Sequence, residues 1–197
     1  MDELESWVAP VRPSIRRAAP VNPESMGFDF ADPCTTIIWF DQGGTTGWTV
    51  FNIWPEALTE PDVKILANIA SWSAGEFTGS EAEMTDAMMD LIDAWSENAL
   101  VGYEDFILRT FSMGRELLSP VRLGARLEDR MYREQRMSQL QKPQQASLAL
   151  KKVTDERLKR WGFWDLLKGQ EHARDAVRHA ITFASRLKEI NLKEAAR

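Results

Sequence analysis

A single α/β domain with a mixed sheet is what this chain predicts, and three observations predict it. The apolar run Ile37-Ile38-Trp39-Phe40 ends on Asp41 and turns back at once through Gly43, Gly44 and Gly47, the pattern of a buried strand and its hairpin. Met84, Ala87, Met88, Leu91, Ile92 and Trp95 recur at helical spacing and make one apolar stripe. A second strand-like run over 100–108 follows that helix, so strand and helix patterns alternate.

Each element follows from its own pattern. Residues 1–33 hold Pro10, Pro13, Pro20 and Pro23, with Pro33 closing the stretch, and show no periodicity; they read as an extended or disordered arm. Residues 34–190 read as the folded domain and 191–197 as a tail. The first strand is expected over 35–40 and its partner over 48–53. Alternation of Val63, Ile65, Ala67 and Ile69 predicts a third strand over 63–72. A helix is expected over 81–97, then the strand over 100–108. Ser119-Pro120 predicts a helix start, with Ser119 as the N-cap and the helix running to about residue 133. A short strand over 137–140, helices over 146–152 and 155–161, and a last helix over 171–188 complete the reading.

Composition bounds the function. With 197 residues, 44% of them hydrophobic, the chain can bury one substantial core. The single cysteine, Cys34, excludes an internal disulfide and a cysteine zinc cluster. No apolar run approaches the roughly 18–20 residues of a membrane span, and the acidic start Met1-Asp2-Glu3-Leu4-Glu5 is unlike a secretory signal. A cytoplasmic protein with no membrane partner is expected. The net charge is −6, yet it is unevenly spread. Residues 60–105 carry 11 acids against Lys64 alone, whereas residues 106–170 carry 14 Lys and Arg against 7 acids. A basic half on an acidic protein can hold a polyanion.

Three acids stand on elements that otherwise ask to be buried: Asp41 at a strand end, Glu104 within a strand, and Asp175 on an alanine-rich helix. An unpaired buried carboxylate loses several kcal/mol or more of hydration, so three of them suggest a divalent cation. His172 lies three residues before Asp175 and shares its helix face, and His179 is four residues further on. The other positions, Ala173, Ala176, Val177, Ala180, Ile181 and Ala184, suit close packing on a sheet. Plainer roles exist for each acid: Asp41 as a turn residue, Glu104 at a strand edge, Asp175 paired with Arg178 or Arg174, His172 as a surface histidine. Arg122, Arg126, Arg130 and Arg133 recur at helical spacing, either to meet phosphates or as a solvated face paired with Glu128, Asp129 and Glu134. Trp161, Phe163 and Trp164 beside Lys159, Arg160 and Lys168 either stack on bases or pack a helix.

Read together, these segments resemble a known family. Asp41-Gln42-Gly43-Gly44-Thr45-Thr46-Gly47-Trp48 looks like the opening motif of the RuvC-type Holliday junction resolvases, in the RNase H-like superfamily. Glu104-Asp105-Phe106 is similar to the second acidic strand, Ser119-Pro120-Val121-Arg122-Leu123-Gly124 resembles the segment opening the next helix, and His172-Ala173-Arg174-Asp175-Ala176 matches the terminal signature. The resemblance spans roughly residues 37–184. It implies an RNase H-like mixed sheet flanked by helices. It also implies a metal-dependent endonuclease that cuts branched DNA as a homodimer. Asp41, Glu104 and Asp175 are then the metal ligands and catalytic residues for Mg2+ or Mn2+, two ions per site, with His172 a ligand or a general acid/base. DNA contacts are expected from Arg122, Arg126, Arg130, Lys151 and Lys152, and the apolar stripe Leu123, Leu127 and Met131 is a candidate dimer seam or sheet contact. Two positions depart from the family. Ile107 stands where a stacking aromatic is usual, with Phe106 and Phe111 nearby, and Ser147 stands where a lysine usually follows the proline matching Pro143. Such a protein suits a phage as well as a bacterium.

Rival readings come from three directions. One is a related nuclease acting on flaps, forks or structured RNA. Another is a sugar-kinase or actin-like ATPase, which needs a second lobe that about 197 residues leave no room for. The third is a nucleic-acid-binding module without catalysis.

Overall fold

The computed structural model describes residues 34–95, 98–104, 118–142 and 146–196. A hairpin of β1 (Thr35–Asp41) and β2 (Thr45–Ile53) extends antiparallel into β3 (Ile69–Thr78), and β4 (Leu100–Tyr103) joins parallel to β1. The strand order is β3-β2-β1-β4, a four-stranded mixed sheet. Helices flank it: α1 (Glu56–Thr59), α2 (Glu81–Asp93), α3 (Ser119–Arg133), α4 (Ala146–Lys152), α5 (Asp155–Arg160), α6 (Phe163–Leu166) and α7 (Glu171–Ala195).

Side-chain alternation assigns each strand residue to a face. Ile37, Trp39, Phe51, Ile53, Trp72 and Ala74 face α7, meeting Ala173, Val177, Ala180 and Ala184, with Leu158 and Phe163 closing the layer. Ile38, Phe40, Trp48, Val50, Phe77 and Val101 face the opposite layer, meeting Met84, Met88, Leu91 and Ile92 of α2 and Leu123, Leu127 and Met131 of α3. Both faces of the central strands are buried, which is why 37–40 reads as a continuous apolar run. A polar chain crosses the far end of the sheet. Thr36 Oγ1 donates to Asn52 Oδ1 at 2.7 Å, and Asn52 Nδ2 donates to Ser71 Oγ at 2.9 Å.

Several boundaries differ from the sequence reading. The third strand is β3 at Ile69–Thr78 instead of 63–72. Asn68 Nδ2 on the Lys64 carbonyl (2.7 Å) closes a turn before it, and Leu66–Asn68 is a 3-10 helix. Val63 and Ile65 still pack on the core from that loop. The true strand is rich in Ser, Ala and Gly, whose weak hydrophobicity hides its alternation. Ser119 is the first helical residue of α3 and Leu118 holds the cap position without a side-chain bond. The Ser119 hydroxyl is spent on the Glu81 carboxylate instead. Helix α2 is capped by its own side chains, with Ser80 and Glu83 forming a reciprocal capping box. Residues 137–140 give only an isolated parallel bridge, Val101 with Leu140. The helix α2 ends at Asp93, short of residue 97, and β4 at Tyr103. The helix α7 runs on to Ala195, so the expected tail is mostly helical. The proline-rich arm, residues 105–108, Phe111 and Pro143 lie outside the described residues.

Leu123, Leu127 and Met131 are fully buried against the chain's own sheet and α2. At about 1.5–3 kcal/mol per buried side chain of this size, they hold α3 in place and are not a dimer seam. Trp161 and Phe163 are likewise core, while Trp164 lies under the Lys159 ammonium (4.8 Å) and the Arg174 guanidinium (4.1 Å). No helix among the described residues is long and apolar enough to cross a membrane.

Candidate active site

One transverse row of the sheet gathers the charged residues. Asp41 pairs with Gly47, and Gly47 pairs with Glu76, so β1, β2 and β3 each place one residue at this level. On β4 the next position after the Phe40–Tyr103 pair is Glu104, whose N–H donates to the Phe40 carbonyl at 3.1 Å. By alternation the row faces α7, the same side as Trp39, Phe51 and Trp72. Its centre is a glycine for a steric reason. A Cβ on Gly47 would stand 2.0 Å from the backbone C and O of His172 and 2.6 Å from the Ala173 nitrogen. The first turn of α7 therefore rests directly on β2, flanked by carboxylates.

Two hydrogen bonds fasten that turn. His172 Nδ1 meets Asp41 Oδ2 at 2.9 Å, and the His172 backbone N–H donates to Glu76 Oε1 at 3.0 Å. The α7 cap position, Gln170, offers no side-chain cap. Glu76 thus caps the helix from another element, with its negative charge where the helix dipole favours it. Sequence reasoning missed Glu76. The available signal was that it is the only charged residue of β3.

Each titratable group responds to this crowding. The hydrogen bond to Asp41 holds the His172 imidazole above its usual range, and the charges of Asp41, Glu76 and Asp175 act in the same sense against the effect of burial. Burial, then the Asp41 charge, raises the Asp175 carboxyl, with Arg178, His172 and Arg174 pulling the other way. His179 is pushed down to about 4, first by burial, and so stays neutral. Its ring stacks on Trp39 (5.9 Å, planes within 3°), and its Nε2 lies 4.0 Å from Glu104 Oε2. Trp39 in turn covers Gly102, where a Cβ would meet its ring at 2.1 Å.

Of the residues expected to act together, Asp41 and His172 touch. Asp175 is electrostatically coupled to both but makes its closest charge contact with Arg178 (Nε to Oδ1, 3.3 Å). That buried guanidinium also donates to Asp155. Glu104 stands on the same row, with its Oε2 4.0 Å from His179 Nε2. Among the described residues no group of three or more His, Cys, Asp or Glu stands close enough to hold a metal ion. The donor chemistry nevertheless suits a hard cation, since carboxylate oxygens are its preferred ligands. An Asp175 carboxyl raised by burial and by Asp41 is in the electrostatic condition that a bound cation relieves.

Protein-family models, curated proteins and solved structures were each compared with the chain, and none resembles it closely enough to count.

The expected DNA-binding residues are dispersed. Arg122 binds the Glu81 carboxylate through Nε at 2.7 Å and again through Nη2, and Arg126 Nε lies 4.0 Å from the other oxygen of Glu81. Arg130 lies between Asp86 (3.7 Å) and Glu134 (3.2 Å), and Arg133 pairs with Asp129 at 2.9 Å. Lys151 is exposed, and Lys152 Nζ lies 3.6 Å from Glu189.

Proposed function

We propose that this chain is a magnesium- or manganese-dependent endonuclease of branched DNA, built on an RNase H-like fold of the RuvC type. The observation that carries the reading is the row Glu76, Gly47, Asp41 and Glu104 lying under the α7 turn that bears His172 and Asp175. Support comes from the acids that the sequence motifs select reaching the same end of the sheet from two strands and a helix. Asp41, Glu104 and Asp175 would hold the cations, two per site, with His172 as a further ligand or as acid/base. Bound cations would supply Lewis-acid stabilisation and lower the pKa of a bound water. The chain's own contribution is orientation and proton handling. Asp41 and Glu76 fix the His172 ring and backbone, and the raised imidazole holds a proton to give to a leaving oxygen. With Nδ1 engaged by Asp41, that exchange falls to Nε2. Paired nicks across a four-way junction need two sites related by a two-fold axis, so a homodimer belongs to this reading.

A second reading, a nucleic-acid-binding module without catalysis, draws support from the pairs Asp41–His172 and Asp175–Arg178, which already neutralise two of the acids. Incubating a labelled four-way junction, a flap, an RNA–DNA hybrid and a linear duplex with magnesium, manganese or EDTA separates the readings. Metal-dependent cutting of the junction is expected. Binding with no cutting under any metal sinks the endonuclease and leaves the module, whereas preferential cutting of the flap or hybrid moves the substrate to those forms. A cruciform plasmid tests coupling: paired nicks give a linear product, uncoupled nicks an open circle.

A further inference from the structure

An open cleft of about 760 Å³ lies on the α2 and α3 side of the sheet, at the end where β1 turns into β2. The turn residue Gly44, three positions after Asp41, forms one wall, and the first turns of α2 and α3 form the others through Ser80, Glu81, Ser119, Arg122 and Arg126. Glu81 is the one acid among the described residues of this lining, and the cationic and hydroxyl groups converge on it. Arg122 gives both Nε and Nη2 to Oε1, Arg126 approaches Oε2, and the Ser119 hydroxyl bonds to the carboxylate as well. These contacts, led by Arg122, hold the Glu81 carboxyl below its usual range.

Forked guanidinium donors and a hydroxyl arranged about one carboxylate are also a recognition set for a phosphate. Glu81 is not needed as a helix cap, because Ser80 and Glu83 already cap α2. Arg130 and Arg133 are separately paired outside this lining, so the basic helix face resolves into two parts with different partners.

We propose that this cleft is a phosphodiester subsite in which Glu81 holds the place of the phosphate. Binding of a nucleic-acid strand exchanges Glu81 for a backbone phosphate on Ser119, Arg122 and Arg126. The inference deepens the nucleic-acid reading of the candidate active site and rests on it. Its consequence is a built-in restraint: a strand engages the cleft only by outcompeting an internal anion, which suppresses weak, nonspecific occupancy.

Fluorescence anisotropy with a labelled four-way junction and a labelled single strand, in EDTA and across a KCl series, tests the exchange. Glu81→Gln should bind about three- to tenfold tighter at low salt, because the internal competitor loses its charge, and the log–log salt slope should steepen by up to about one phosphate contact. The gain should vanish in the triple variant Glu81→Gln/Arg122→Gln/Arg126→Gln. Arg126→Ala alone, at a half-exposed side chain, should weaken binding, which provides a second route if Glu81→Gln melts early. Unchanged or weaker binding by Glu81→Gln, or a gain that survives in the triple variant, overturns the subsite. Junction cleavage by the unaltered protein is scored separately. Cleavage without tightening removes the subsite alone, tightening without cleavage removes the endonuclease alone, and no binding by either protein removes both.

Discussion

Gly47→Ala is the most direct perturbation of the site, because it removes no charge and no hydrogen-bonding group. The backbone of Gly47 is outside the left-handed region, so alanine is not excluded by conformation. The cost is contact alone. The new methyl would stand 2.0 Å from the His172 carbonyl group, where carbon contacts settle at about 3.5 Å, so the α7 turn must retreat by about 1.5 Å. That retreat stretches the 2.9 Å bond to Asp41 and the 3.0 Å bond to Glu76 beyond hydrogen-bonding range. Two lost bonds to charged acceptors at about 1.5 kcal/mol each, with overpacking of about 1–3 kcal/mol, give a loss of about 4–6 kcal/mol. This is a large share of a typical folding stability of about 5–15 kcal/mol. Urea denaturation measures it, and amide exchange at residues 172–176 locates it. Gly44→Ala is the control, since among the described residues nothing lies within 4 Å of its added carbon, and it should fall within about 0.5 kcal/mol of the parent. If Gly47→Ala matched Gly44→Ala in stability and exchange, the seating of α7 on β2 would be wrong.

The remaining predictions concern charge and capping. Asp41→Asn, Glu104→Gln and Asp175→Asn should each abolish junction cleavage while leaving binding in EDTA within a few-fold; wild-type cutting by any one of them removes that residue from the site. His172→Ala should slow cleavage by about two to four orders of magnitude, as loss of an acid/base group does, and an unchanged pH–rate profile would leave only ligation or structure for it. His179 sets an acid limb of stability. Its folded value of about 4 lies below the ordinary 6.5, so the unfolded chain takes the proton first, and stability falls between these values by about 2.5 × 1.36, or roughly 3 kcal/mol. His172, raised in the fold, works in the opposite sense: its contribution is complete below pH 6.5 and is lost as pH rises through the folded value. Denaturation from pH 4 to 7 should therefore show a limb that His179→Phe flattens, and an identical slope in that variant would refute the assignment. Ser80→Ala should cost about 1 kcal/mol in the same assay through loss of the α2 capping box.

What the sequence made legible depended on how strongly each segment was buried. The hairpin of β1 and β2, with Ile37 to Phe40 buried on both faces, announced itself through continuous apolarity and glycines at the turn. The small alternating side chains of α7 likewise foretold a helix lying close on a sheet. The strand β3 was misplaced because Ser71, Ser73, Ala74 and Gly75 are buried by close packing, which requires small residues more than greasy ones. The role of Glu76 was hidden for a related reason. Its role is to accept a backbone N–H from His172, 96 positions away, and no local pattern reports such a contact. The pairing of Arg122 and Arg126 with Glu81 was hidden in the same way, since spacing on one helix says nothing about what the next helix presents.

The polar chain of Thr36, Asn52 and Ser71 bears on how the sheet counts. A strand displaced by one residue turns its apolar side chains to the wrong face, and burial alone forbids it. Displacement by two keeps every face correct and is the harder error to prevent. In β1 it would bring Trp39 to the position of Asp41, beneath His172, with little change in buried apolar area. Thr36 would then leave Asn52, and buried amide and hydroxyl groups would stand without partners at about 1–3 kcal/mol each. The far end of the sheet thereby acts as a parity check on the near end, rejecting the one misalignment that hydrophobicity tolerates. Replacing these residues with apolar ones of similar size would leave a sheet that folds but no longer knows which residue belongs at the site.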